Sequence, residues 1–89
     1  MEAEDQAKEF AKALEDSKAL DVKTYDVRGI SGFTDFFVVA TGAAAPHLKA
    51  LVKALPKAYR VSGDPESGWI VSDYIDVVVH VFSAEARAY

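Results

Sequence analysis

Hydrophobic positions repeat along this chain with two different periods. Between residues 4 and 19, Ala7, Phe10, Ala11 and Leu14 recur at i, i+3, i+4 and i+7, the stripe of a helix that covers a core. Glu4 and Asp5 at its start and Lys18 at its end complement the helix dipole. Residues 22–27 predict a first strand and residues 35–41 a second. The second strand is apolar on both of its faces, so it belongs inside a sheet. Arg28 to Thr34 joins them as a loop with two glycines and a serine. A second helix starts near Pro46, which suits a first turn, and carries Leu48, Leu51, Val52 and Leu55 on one stripe. Pro56 ends it. Residues 59–62 predict a short strand, and Gly63 to Gly68 a turn.

The run 69–82, WIVSDYIDVVVHVF, is the most β-prone in the chain. Val77, Val79 and Val81 share one face, and Val78, His80 and Phe82 the other. Both faces are apolar, which predicts a central strand with layers on both sides. Ser83 caps a last helix from Ala84. The order α-β-β-α-β-β-β-α combines a hairpin with a crossover through a helix. The expected fold class is α/β, a mixed β-sheet flanked by helices.

Composition narrows the function. Eighty-nine residues form one small domain, for which a partner or a self-pairing surface is no surprise. A formal charge of -4 argues against a protein that holds nucleic acid by phosphate contacts alone, but allows docking on a basic protein. There is no cysteine, which excludes disulfides, thiolate metal sites and cysteine nucleophiles. The start, Glu2-Ala3-Glu4-Asp5, is acidic where a signal peptide is basic, and no apolar run approaches a membrane span. The expectation is a soluble cytoplasmic protein, with neither membrane nor DNA among its partners.

Candidate chemistry is sparse. Asp73 and Asp76 point to opposite faces if residues 69–82 form one strand. They face each other if Tyr74-Ile75 is a two-residue turn, where β-branched Ile75 would be strained. Either way, a metal site lacks further ligands, because His80 lies about 13 Å along the strand. His80 reads as a buried neutral histidine rather than a base. A Ser31, His47, Asp35 triad can be written, with His47 approaching the Thr34-Asp35 loop, but no nucleophile elbow supports it. Lys49, Lys53 and Lys57 fall four apart; they read as a solvated face or as a short basic stripe for RNA or an acidic partner. Trp69, with Ile70 and Tyr74 nearby, either packs under a helix or forms a protein-binding hot spot.

Several segments together resemble the ribosomal silencing factor (Iojap-like) family. They are Asp26 to Ser31, Phe33 to Gly42, His47, Gly68 to Val71, Asp76 to Phe82 and Glu85 to Tyr89, in the family's order. The resemblance implies a small mixed-sheet fold related to nucleotidyltransferases but without their active site. It implies no enzymatic activity and no cofactor. It implies binding to the large ribosomal subunit through the large-subunit ribosomal protein numbered fourteen, steric blocking of subunit joining, and lower translation when nutrients are short. Family members can also pair as homodimers. By motif, the docking surface falls on Trp69, Ile70, Ser72, Asp73 and Tyr74, with Asp76, Thr34 and Asp35 nearby. The chain departs from the family at Ala43-Ala44-Ala45, at Pro46 where arginine is common, at Ile75 where glycine is common, in a shorter second helix, and in a C-terminal segment that is missing beyond Tyr89. The whole of 1–89 is read as a single domain of this family, shortened at its C-terminus. The alternative from another class is a metal-dependent, nucleotidyltransferase-like enzyme using Asp73 and Asp76.

Overall fold

The apolar stripes and β-prone runs fold into eight elements in the order expected from the sequence. A computed structural model describes residues 2–87. The elements are α1 (Ala3–Asp16), β1 (Leu20–Asp26), β2 (Phe36–Gly42), α2 (Ala45–Lys53), β3 (Arg60–Asp64), β4 (Trp69–Asp73), β5 (Val77–Ser83) and α3 (Ala84–Arg87). Ala88 and Tyr89, assigned from the sequence to the last helix, lie outside the described residues.

One sheet contains all five strands in the order β1-β2-β5-β4-β3. The β2–β5 pair is parallel and every other pair antiparallel. The central strand is β5, as the sequence predicts, because it is apolar on both faces. β1 and β3 are the edges, and β3 is exposed along its whole length.

The core lies on one side of the sheet. Ala7, Phe10 and Leu14 of α1 and Leu48 and Leu51 of α2 bury Phe36, Val38, Ala40, Val77, Val79, Val81 and Ile70 in one cluster. Leu14, Val38, Leu48, Leu51, Val77, Val79 and Val81 are fully enclosed. Each such side chain contributes on the order of 1.5–3 kcal/mol by leaving water. Most stripe positions read from the sequence are buried, because spacing of three and four keeps them on one side of each helix, while Ala11 and Val52 lie at the margin, partly buried.

The second face departs from expectation. Both long helices pack on the same side; on the other, the four-residue α3 closes over one end, where Arg87 donates to the buried Thr41 Oγ1 at 2.7 Å, and neither α1 nor α2 reaches Val78, His80 and Phe82. These side chains are half-buried by one another instead. Two helical stripes suffice for one face of a five-stranded sheet and leave none for the other.

The end of α1 also differs. Lys18 is not in the last turn but beyond it, in the left-handed region at φ 70°. Its N–H bonds Glu15 O at 3.0 Å and the Ala19 N–H bonds Leu14 O at 3.0 Å. These are the two bonds of a Schellman ending, with lysine where glycine is usual. α2 stops at Lys53, two residues before Leu55, with Ala54 as its C-cap. Ser83 caps α3 as expected, its Oγ accepting the Ala86 N–H at 3.1 Å.

Candidate functional site

The uncovered face of the sheet is built from residues that alternate with the core along every strand. Cross-strand pairing arranges them in three rows. The first runs Tyr25, Phe37, Val78, Asp73, Arg60; the second runs Lys23, Val39, His80, Val71, Ser62; the third runs Thr41, Phe82, Trp69, Asp64. Aliphatic and aromatic side chains fill the middle, and charged ones stand toward the edges. The rings order one another. His80 stacks on Phe82 with centroids 5.9 Å apart and meets Phe37 edge-on at 5.2 Å. Burial in this apolar setting holds the His80 imidazole below its ordinary value. The result is an apolar patch with polar margins, the composition of a protein-docking surface.

Trp69 lies on this face, 39% exposed, where β4 leaves the turn of residues 65–68. Gly63, at φ +83°, lets β3 pass close beneath it: a Cβ there would run into the Trp69 carbonyl and lie against its ring. Trp69 thus stands partly exposed on the open face and outside the core beneath α1 and α2.

The structure separates the other residues expected on the docking surface. Asp73 lies on the open face, at the far end of β4 from Trp69, about 13 Å away by strand rise. Ile70 and Ser72 face the helices and are buried, so their side chains cannot meet a partner. The alternation that exposes Trp69 and Asp73 hides them. Tyr74 leaves the sheet to pack its ring on Phe10, centroids 4.4 Å apart, and its hydroxyl donates to Pro56 O. That burial pushes its phenol up from the ordinary value.

Asp76 and Asp35, with Thr34 next to it in sequence, do come together where β2 and β5 begin. The Asp76 carbonyl accepts the N–H groups of Asp35 at 3.0 Å and Phe36 at 3.2 Å. Thr34 is buried, and its Oγ1 has no hydrogen-bond partner among the described residues.

The β4–β5 connection is a turn, as one of the two sequence readings had it, but shifted by one residue. Asp73 pairs with Val78, and the Tyr74 N–H bonds Val77 O at 2.8 Å. The loop residues are thus Ile75 and Asp76. Asp73 faces Val78 rather than Asp76, and its Oδ1 accepts the Ile75 N–H at 2.7 Å. Ile75 takes φ 75°, the strained conformation anticipated for a β-branched residue there.

Two chemical readings lose their geometry. No group of three His, Cys, Asp or Glu able to hold a metal exists among the described residues, so Asp73 and Asp76 have no third such ligand beside them. His47 lies at the opposite end of β2 from Asp35. Its Nδ1 accepts the Ala43 N–H at 2.9 Å, and its Nε2 is 3.0 Å from Ser17 O. The Ser31 Oγ accepts the N–H groups of Phe33 and Thr34. Ser31, His47 and Asp35 are therefore not a triad; Ser31 and His47 bind backbone groups instead.

Sequence reasoning missed Phe37, Val39, Val71 and Val78 as surface residues. The available signal was the helix supply. One stripe on each of two long helices cannot cover both faces of a sheet that is apolar on both.

No described helix is long and apolar enough to cross a membrane. Over residues 1–89 the chain matches the family described as ribosomal silencing factor during starvation. It is 34% identical over 85 residues to the ribosomal silencing factor RsfS of Halalkalibacterium halodurans, which covers 86% of this chain and 73% of that protein. It is 36% identical over 97 residues to RsfS of Treponema pallidum, covering 100% of this chain and 87% of that protein. A crystal structure of a protein from Chromobacterium violaceum is similar at a TM-score of 0.92 and 29% identity, covering 100% of this chain and 81% of that one. The motifs, the mixed sheet and these likenesses agree: this chain belongs to the ribosomal silencing factor (Iojap-like) family.

Proposed function

We propose that the chain is a ribosome-binding silencing factor of the cytoplasm that works by occupying a surface rather than by chemistry. It docks on the large ribosomal subunit through the basic ribosomal protein numbered fourteen. From there it blocks joining of the small subunit by its bulk and so lowers translation when nutrients are short. The observation that carries this reading is the aromatic sheet face with Trp69 partly exposed on it and Asp73 at its margin. An apolar centre supplies contact area, and the carboxylate steers a basic partner. Asp76 and Asp35, at the same end of the sheet, extend the acidic margin. A homodimer would use the same apolar face, so a second copy and the ribosome compete for it.

Co-sedimentation with purified large subunits tests this. Wild type pellets with the subunits. Trp69→Ala weakens binding at least tenfold, the scale of a lost hot-spot aromatic, with an unchanged circular dichroism spectrum. Tyr74→Ala, whose ring is turned to Phe10, acts mainly through stability. Equal binding by Trp69→Ala and wild type would remove the contact from this face. No wild-type binding would overturn the ribosomal reading for this chain.

A further inference from the structure

The chain is acidic, yet its charge is unevenly spread. Residues 36–63 contain four cations, Lys49, Lys53, Lys57 and Arg60, and no carboxylate, which leaves six cations against all fourteen carboxylates elsewhere. Arg60 is drawn to the open face, 3.9 Å from Asp73. The three lysines are not. All are exposed, and among the described residues none lies within ion-pair distance of a carboxylate. The C-terminal end of α2 favours the charge of Lys53; Lys49 and Lys57 have no such local support.

Lys49 and Lys53 lie one turn apart, about 6 Å along the axis, on a helix whose Leu48 and Leu51 are turned to the core. Lys57 follows just beyond Pro56. Next come Tyr59, 72% exposed, and Val61, 53% exposed. Val61 pairs with the buried Ser72, so it lies on the helix side of the sheet, on the exposed edge strand β3. Tyr59 leads into the same strand, its N–H bonded to Asp73 O at 2.9 Å. Glu66 shares a shallow depression with Lys49, Pro46 and Pro65, so the ridge is most purely basic from Lys53 to Tyr59. Unpaired cations beside an exposed aromatic ring are what a polyphosphate strand needs: charge for the backbone and a face for a base.

We infer that Lys49, Lys53 and Lys57, with Tyr59, form an RNA-backbone contact on the helix side of the molecule, opposite the open sheet face. This contact does not depend on the protein-docking reading; one side can hold a basic protein while the other meets phosphates. Three phosphate contacts give weak binding to free RNA, matched to a second anchor rather than a primary one.

The whole isotopically labelled chain, titrated with a short RNA hairpin at low salt and followed by amide NMR shifts, tests this. Shifts are expected over α2 and residues 57–61, with the open sheet face unmoved. Affinity falls roughly twenty- to fortyfold from 50 to 200 mM salt for three neutralised phosphates. The variant Lys49→Gln/Lys53→Gln/Lys57→Gln, at exposed positions, keeps the spectrum of the folded chain and loses the shifts. Absent shifts, shifts centred on the open face, or an unchanged response in the triple variant would each overturn the inference. So would shifts on the ridge with a polyglutamate peptide but none with RNA, which would assign it to an acidic protein.

Discussion

Ile75 concentrates strain in one residue. A β-branched side chain at φ 75° costs on the order of 1–2 kcal/mol. The turn holds it there through the Asp73 carboxylate on its N–H and the Asp76 N–H on Tyr74 O at 2.9 Å. Ile75→Gly removes the strain and adds back about 0.5–1 kcal/mol of unfolded-chain entropy. A net gain of roughly 0.5–1 kcal/mol is expected in urea denaturation; a loss of stability would show that the exposed side chain contributes contacts that outweigh the backbone term. His80 governs a pH effect. Its folded-state pKa is lowered from 6.5 by burial, so above 6.5 the ring is neutral in both states and has no effect. As pH falls through 6.5 the unfolded chain binds the proton first, and stability drops until pH passes below the folded-state value. His80→Gln should flatten that part of the stability profile. An equal decline in variant and wild type would move the effect to another group.

At the scale of elements, two hairpins decide where the candidate site residues stand. The β3–β4 hairpin places Trp69 only because Gly63 lacks a Cβ. Gly63→Ala meets a backbone carbonyl that cannot turn away, and φ +83° adds strain. A loss of roughly 2–3 kcal/mol is expected in thermal melting, together with weaker subunit binding as Trp69 is displaced; an unchanged melting temperature would show that the strand pair relaxes freely. The β4–β5 hairpin shows the limit of local reading. The sequence allows one continuous strand or a turn at Tyr74-Ile75, and only the pairing of Asp73 with Val78 moves the turn to Ile75-Asp76. Likewise, the end of α1 was misplaced because a Schellman ending without glycine leaves little trace in the sequence; Lys18 looks like an ordinary last-turn cation.

At the scale of the molecule, the two faces of one strand have different fates. Val78 and Val79 are adjacent and chemically identical. Val79 is fully enclosed beneath the helices, while Val78 is half-buried on the open face. Val79→Lys puts an unpaired charge in the core, a cost of several kcal/mol against a stability of about 5–15 for a typical protein, and should leave the chain unfolded by circular dichroism. Val78→Lys can reach water from its position, should cost about 1 kcal/mol, and should weaken binding to large subunits while the chain stays folded. If the two variants unfold alike, the second face is covered after all.

By itself, the sequence determined the eight elements, their order, the helix faces that turn to the core and the central place of β5. These follow from periods of two and 3.6, which are local properties of the backbone. Its family motifs determined the kinship. What only the tertiary structure decided is which apolar face is covered. Val78, His80 and Phe82 look like core in sequence because hydrophobicity records the need for cover and not its source. The source depends on where two distant helices land, and both land on the side of Val77, Val79 and Val81. The same non-local choice buries Ile70 and Ser72, opens Trp69 and Asp73, and parts His47 from Asp35 by the length of a strand.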